Sequence, residues 1–223
     1  MKIVNPDLTK QVLTKTEKNG RRNIPKYLYH LTNKKNYEQC LKDGFIKIGH
    51  DTAPDTNLNG VFMFDLKNFT KRWLNTGFDI GDTPGENILT LAKALIMKVS
   101  SKDSNIVVLR IPTKNLSLDK LRCRIQSMTN ISNIPSSHFI DGDLATKQKH
   151  FTRKKHAIEY IFENNIPMSN VQKVGETNTG ITYKDLLDPI LGADMYKTIN
   201  PQEILAQLFK GQPEEKCIEI TKK

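Results

Sequence analysis

Cysteine is scarce in this chain of 223 residues: three occur, at positions 40, 123 and 217. The number is odd, the spacing is wide and no C-x-x-C pair is present. A disulfide framework and a cysteine-built zinc site are therefore not expected, and a reducing compartment is. The five histidines stand at no metal-ligand spacing with other donors, so no metal is expected either. Long apolar runs are also missing. The most apolar stretch, residues 88–99, is broken by Lys93 and Lys98 and is too short for a bilayer, so no membrane partner is expected. The first 23 residues are polar and charged, without the apolar centre of a signal peptide. Internal repeats and low-complexity tracts are absent. Acid is short relative to base: 24 Asp and Glu against 34 Lys and Arg give a formal net charge of +10. That balance favours acidic partners such as nucleic acid, although a lysine-rich solvated surface gives the same number.

What remains is a globular composition, 37% hydrophobic and 26% charged, long enough for one sizeable domain or one domain with a small appendage. Residues 1–25 read as a lead-in, with one helix expected over 6–15. Residues 26–32 read as an aromatic-rich strand in which Leu28, His30 and Thr32 share one face and Tyr27, Tyr29 and Leu31 the other. Asn33 is a plausible N-cap for a helix carrying Tyr37, Cys40 and Leu41, which Gly44 closes. A short strand over 45–48, a loop over 49–59 and a strand over 61–64 follow. Asp65 is placed to cap a helix with Phe69 and Trp73, and residues 76–86 read as a loop. Residues 106–111 are the clearest buried strand, and 121–125, 157–162 and 171–174 are further candidates. Residues 130–143 read as loop. The tail from Tyr183 holds two short helical patterns, the second with Asn200 as cap and Pro201 at the first helical position. Helices and strands mix without regular βα alternation, which argues for an α+β fold.

Three features carry chemistry. The first is the segment Tyr29-His30-Leu31-Thr32, with polar side chains at a strand end. The second is Gly60-Val-Phe-Met-Phe-Asp65, which leads into the helix with Trp73. The third is Glu159, set in the otherwise apolar strand 157–162. Its face-mates are Ala157 and Ile161, so a carboxylate there needs a partner or a task. Each feature also has a plain structural reading. His30 reads as a satisfied rim residue, Phe62, Phe64 and Trp73 as core aromatics, and Glu159 as a solvent-facing strand residue.

In combination and order these blocks resemble the ADP-ribosyltransferase superfamily, in its His–aromatic–Glu branch. Residues 29–36 with Leu41 and Gly44 are similar to the first block of poly-ADP-ribose polymerases and of DNA-modifying DarT toxins. Residues 60–73 are similar to the polymerase block in which a Gly-x-aromatic strand precedes a second aromatic. Residues 154–159 with 166–174 are similar to the catalytic-glutamate strand and hairpin of DarT-like enzymes. Together these cover about a third of the chain; residues 77–104 and 177 onward match no block.

The resemblance implies a split β-sheet core, two small packed sheets around an NAD cleft and flanked by helices, over residues 26–176. It leaves 1–25 as the lead-in and 177–223 as a helical extension packed on the same domain. It implies a mono-ADP-ribosyltransferase that takes NAD as co-substrate and uses no metal. In that reading His30 meets a ribose hydroxyl and the Leu31 backbone holds the nicotinamide carboxamide, with Thr32 beside it. Phe62 and Trp73 flank the nicotinamide ring, and Glu159 binds the ribose 2′-hydroxyl as the catalytic residue. A carboxylate there stabilises positive charge that develops on the ribose as the glycosidic bond breaks.

The basic run 147–156 precedes the glutamate strand. Its Lys149, Phe151, Arg153, Lys154 and Lys155 are candidate acceptor contacts, able to grip phosphates and stack a base. The acceptor expected is DNA or RNA, or alternatively an acidic protein. An antitoxin or a host target completes the partners, and a bacterial, phage-infected or host cytosol is the expected location. Ala157, where arginine-modifying toxins carry Gln or Glu, argues against an arginine acceptor. Phe62 replaces the tyrosine common in the branch. The loop over 48–59 lacks the arginine of DarT-like enzymes. Two other readings are an RNA 2′-phosphotransferase on the same fold, and a non-catalytic basic module that holds NAD, ADP-ribose or nucleic acid.

Overall fold

The computed structural model describes residues 25–50, 59–75, 77–79, 88–117, 120–126, 157–181 and 199–219. Among them the fold is α+β, with small antiparallel sheets and helices packed around them. The helix expected over 6–15, the loop over 130–143 and the first tail helix lie outside the described residues.

Strand β1 (Tyr27–Asn33) opens the fold. Helix α1 (Lys34–Asp43) follows; the Asn33 side chain caps it by accepting the Asn36 N–H at 2.8 Å, and Gly44 ends it at φ 81°. Only glycine enters that left-handed region without strain. Of the strand expected over 45–48 only β2 (Phe45–Ile46) forms, and β3 (Gly49–His50) falls where a loop was expected. Of the loop expected over 49–59, residues 51–58 lie outside the described residues, and its last position belongs to β4 (Asn59–Met63). Asp65 then caps α2 (Leu66–Asn68) at 2.7 Å, and the chain continues as a π-helical turn, Phe69–Trp73. The expected loop over 76–86 contains β5 (Gly77–Asp79), which pairs with β6 (Ile88–Thr90) ahead of α3 (Leu91–Ser100). The remaining strands are β7 (Asn105–Pro112), β8 (Leu121–Gln126), β9 (Ala157–Phe162), β10 (Ile166–Pro167) and β11 (Gln172–Asn178). Helices α4 (Pro201–Leu208), capped by Asn200 as expected, and α5 (Glu215–Glu219) close the described chain.

Two sheets position the site. One has the order β1-β7-β11 and the other β3-β4-β9-β8, all antiparallel. Alternation along each strand sends Leu28, Val107, Leu109 and Ile111 of the first sheet against Val61, Met63, Ile158, Tyr160 and Phe162 of the second. These residues form one buried layer between the sheets. Truncating any of its leucines or isoleucines to Ala removes about 2–5 kcal/mol. The opposite face of β1 and β7, with Tyr29, Leu31, Ile106 and Val108, meets Phe64, Phe69, Trp73 and Ile96 in a second layer. That layer also buries Leu205, Leu208 and Phe209 from the C-terminal segment.

The sheets touch edge to edge at one point. Tyr29 N–H donates to the Phe64 carbonyl at 2.8 Å, and Phe64 N–H donates to the Tyr29 carbonyl at 2.9 Å. Beyond that bridge β1 and β4 part, and β3 takes up the far end of β4 through Gly49 opposite Gly60.

Candidate active site

The gap where β1 and β4 diverge is the floor of a cleft of about 570 Å³. That size lies within the range of small-molecule sites, roughly 300–1,000 Å³. Its walls are helix faces. Asn36, Gln39, Cys40 and Asp43 line it from α1 at three- and four-residue spacing, and Leu95, Lys98 and Val99 line it from α3. Lys102, just past α3, continues the second wall. The Lys35 N–H of α1 donates at 3.2 Å to Oδ2 of Asp103, three residues past the end of α3.

All six expected catalytic and NAD-contacting residues line this one cleft: His30, Leu31, Thr32, Phe62, Trp73 and Glu159. Glu159 sits in β9 at 7% exposure and faces the cleft by simple alternation. Its neighbours Ile158 and Tyr160 point into the inter-sheet layer. Phe62 shares that cleft-facing side of the sheet, since it pairs with Ile161, two residues from Glu159. Gly60 belongs to the same row. A Cβ there would meet Ile161 Cγ2 at 2.5 Å and the Phe162 carbonyl at 2.8 Å.

The half-buried imidazole of His30 donates from Nδ1 to the Phe62 carbonyl at 2.8 Å. A carbonyl can only accept, so the proton is on Nδ1 and the neutral ring offers Nε2 as an acceptor. Burial pushes the His30 pKa below its ordinary 6.5, and the bond to Phe62 opposes that shift without cancelling it. The ring is therefore neutral at physiological pH. Leu31 contributes through its backbone. In an antiparallel strand alternate residues direct N–H and C=O to the same side. Tyr29 uses that side to bridge Phe64, so Leu31, two residues on, presents a donor and an acceptor to the opening gap. Thr32 is 6% exposed and lies beside it in β1.

Trp73 is set deeper than an exposed aromatic wall. It is 3% exposed, stacks on Phe69 at 5.3 Å between centroids, and donates its indole N–H to the Ile158 carbonyl at 3.2 Å. Asn68, which the sequence did not single out, accepts the Ile158 N–H at 2.8 Å. Nothing in the sequence marks that residue, because an Asn in the first turn of a helix reads as surface. Lys98 and Lys102 were also unforeseen as cleft residues. The acceptor candidates Lys149, Phe151, Arg153, Lys154 and Lys155 lie outside the described residues.

Among the described residues no cluster of His, Cys, Asp and Glu forms a metal site, and no helix is long and apolar enough to cross a membrane. No family model, curated protein or solved structure matches the chain.

Proposed function

We propose that this protein is an NAD-dependent mono-ADP-ribosyltransferase built on a split-sheet core. The carrying observation is that Glu159 and Phe62 of one sheet share a cleft with His30 and Leu31 of the other. The groups fit a dinucleotide substrate. The acceptor nitrogen of His30 suits a ribose hydroxyl, and the Leu31 N–H and C=O suit a carboxamide, which is itself donor and acceptor. The face of Phe62 suits a flat ring.

In the reaction the bond between the ribose anomeric carbon and the pyridinium nitrogen breaks, and nicotinamide leaves neutral with the bonding pair. Positive charge develops on the ribose, and the Glu159 carboxylate stabilises it through the 2′-hydroxyl. A nucleophile of the acceptor bonds to the same carbon and loses a proton. The net charge and the basic run 147–156 favour nucleic acid over an acidic protein as acceptor.

Nicotinamide release from NAD by the wild type and by Glu159→Gln tests the reading. A loss of about 10²–10³ in rate is expected, as for removal of one electrostatic group. Equal rates would eliminate catalysis through Glu159. No release from either protein, with NAD raising the melting temperature, would leave a binding module in place of an enzyme. Labelled ADP-ribose offered with DNA, RNA and a protein lysate identifies the acceptor; label on protein alone overturns the nucleic-acid assignment.

A further inference from the structure

We infer that Asn68 and Trp73 form a clamp that positions Glu159, an assignment that rests on the proposed transferase reading. Strand β4 pairs with β9 as far as Met63 opposite Tyr160. It then turns away at Asp65 into α2. Continued pairing would have supplied partners to Ile158, whose N–H and C=O both point to that side. Two side chains supply them instead. Asn68 Oδ1 accepts the Ile158 N–H at 2.8 Å, and Trp73 Nε1 donates to the Ile158 carbonyl at 3.2 Å.

The carbonyl of Ile158 belongs to the peptide that leads into Glu159, so Trp73 fixes the plane from which the Glu159 side chain springs. Asn68 fixes the peptide before it. The extra residue of the π-helical turn, where Leu74 N–H reaches the Phe69 carbonyl at 3.2 Å, helps bring the indole to this point. One short segment, residues 62–73, thus carries the ring contact Phe62 and sets the carboxylate relative to it. With its ring stacked on Phe69 and only 3% exposed, and its N–H committed to the strand, Trp73 serves the site by holding β9.

The tests are Asn68→Ala, Trp73→Phe, and replacement of Trp73 by benzothienylalanine, which keeps the bicyclic shape and puts sulfur in place of the N–H. Because Trp73 is the only tryptophan, that replacement alters one site and guards against a folding defect. Expected results are faster amide exchange at Ile158 and a fall in kcat for nicotinamide release, on the order of 10- to 100-fold for a misplaced group. KM for NAD and the NAD-induced rise in melting temperature should be unchanged. A rise in KM with kcat intact would overturn the clamp and make Trp73 a ring wall. Wild-type kcat in all three variants would overturn it as well, with the transferase reading intact. An inactive wild type instead removes the transferase reading, and with it any catalytic role for the clamp.

Discussion

His30 Nδ1 and the Phe62 carbonyl oxygen lie 2.8 Å apart, so the side chain of one sheet's edge strand is held by the backbone of the other. The contact fixes the tautomer and leaves Nε2 as the face the ring turns to a ligand. Because burial holds the His30 pKa below 6.5, the unfolded chain takes up this proton at higher pH than the folded one. Stability should fall as pH drops below 6.5 and level off below the folded-state value. Affinity for NAD should fall at lower pH, as the folded-state value is passed and the acceptor nitrogen becomes a donor. Urea unfolding and NAD titration across pH 5–8 (a span of about 3 units around the His range), on wild type and His30→Gln, check this. A pH slope that survives the substitution would assign it to another group.

Gly60 is needed where β4 borders the cleft. Its Cβ would lie 2.5 Å from Ile161 Cγ2 and 2.8 Å from a backbone oxygen that cannot rotate away. Gly60→Ala should cost about 1–3 kcal/mol by overpacking, read as a lower urea midpoint at unchanged slope. The same shift of β4 against β9 moves Phe62 relative to Glu159, so nicotinamide release should fall as well.

Gly175 is a more severe case. It sits at the register shift in β11, and a Cβ there would lie 1.7 Å from the Leu208 carbonyl oxygen of α4. No rotamer change relieves a clash with backbone. Gly175→Ala should destabilise by more than about 3 kcal/mol or undock α4, seen as rapid amide exchange across 201–208.

Glu214 joins the C-terminal segment to the first sheet. It accepts from the Tyr29 hydroxyl at 3.0 Å and pairs with the Arg110 guanidinium. Burial raises its carboxyl pKa, but the bonds from Arg110, its own backbone and Tyr29 outweigh that and hold it below the ordinary 4.5. Its stabilisation is therefore complete above pH 4.5 and lost as pH falls through the lower folded-state value. Glu214→Gln should cost about 2–3 kcal/mol near neutrality, since Arg110 loses its charged partner in a mostly buried place. A thermal melt at pH 7 that matches wild type would refute this.

The elements were legible where local pattern and tertiary environment agree. Strand β1 showed in its aromatic alternation and β7 in an apolar run bounded by Asn105 and Pro112. The caps Asn33, Asp65 and Asn200 showed in their residue type, and each makes its capping hydrogen bond. The β5–β6 pairing was hidden because Gly77-Phe-Asp79 carries turn residues where a strand stands. The π-helical turn was hidden because nothing within Phe69–Trp73 marks it; the indole it carries meets a carbonyl 85 residues away in sequence. Asn68 and Glu214 escaped notice for the same reason: their partners are brought near only by the complete fold. The residues now lining the cleft were found through their order along the chain, not through any one motif.

The C-terminal segment is part of the core on which the cleft is built. Leu205, Leu208 and Phe209 fill the layer behind Tyr29 and Leu31, and Phe209 meets the Tyr29 ring edge-on at 5.4 Å. A shortened chain that stops after β11 would present the back of the His30 strand to water. Such a fragment should be recovered insoluble whatever the state of its catalytic residues, so boundaries for expression belong beyond residue 219.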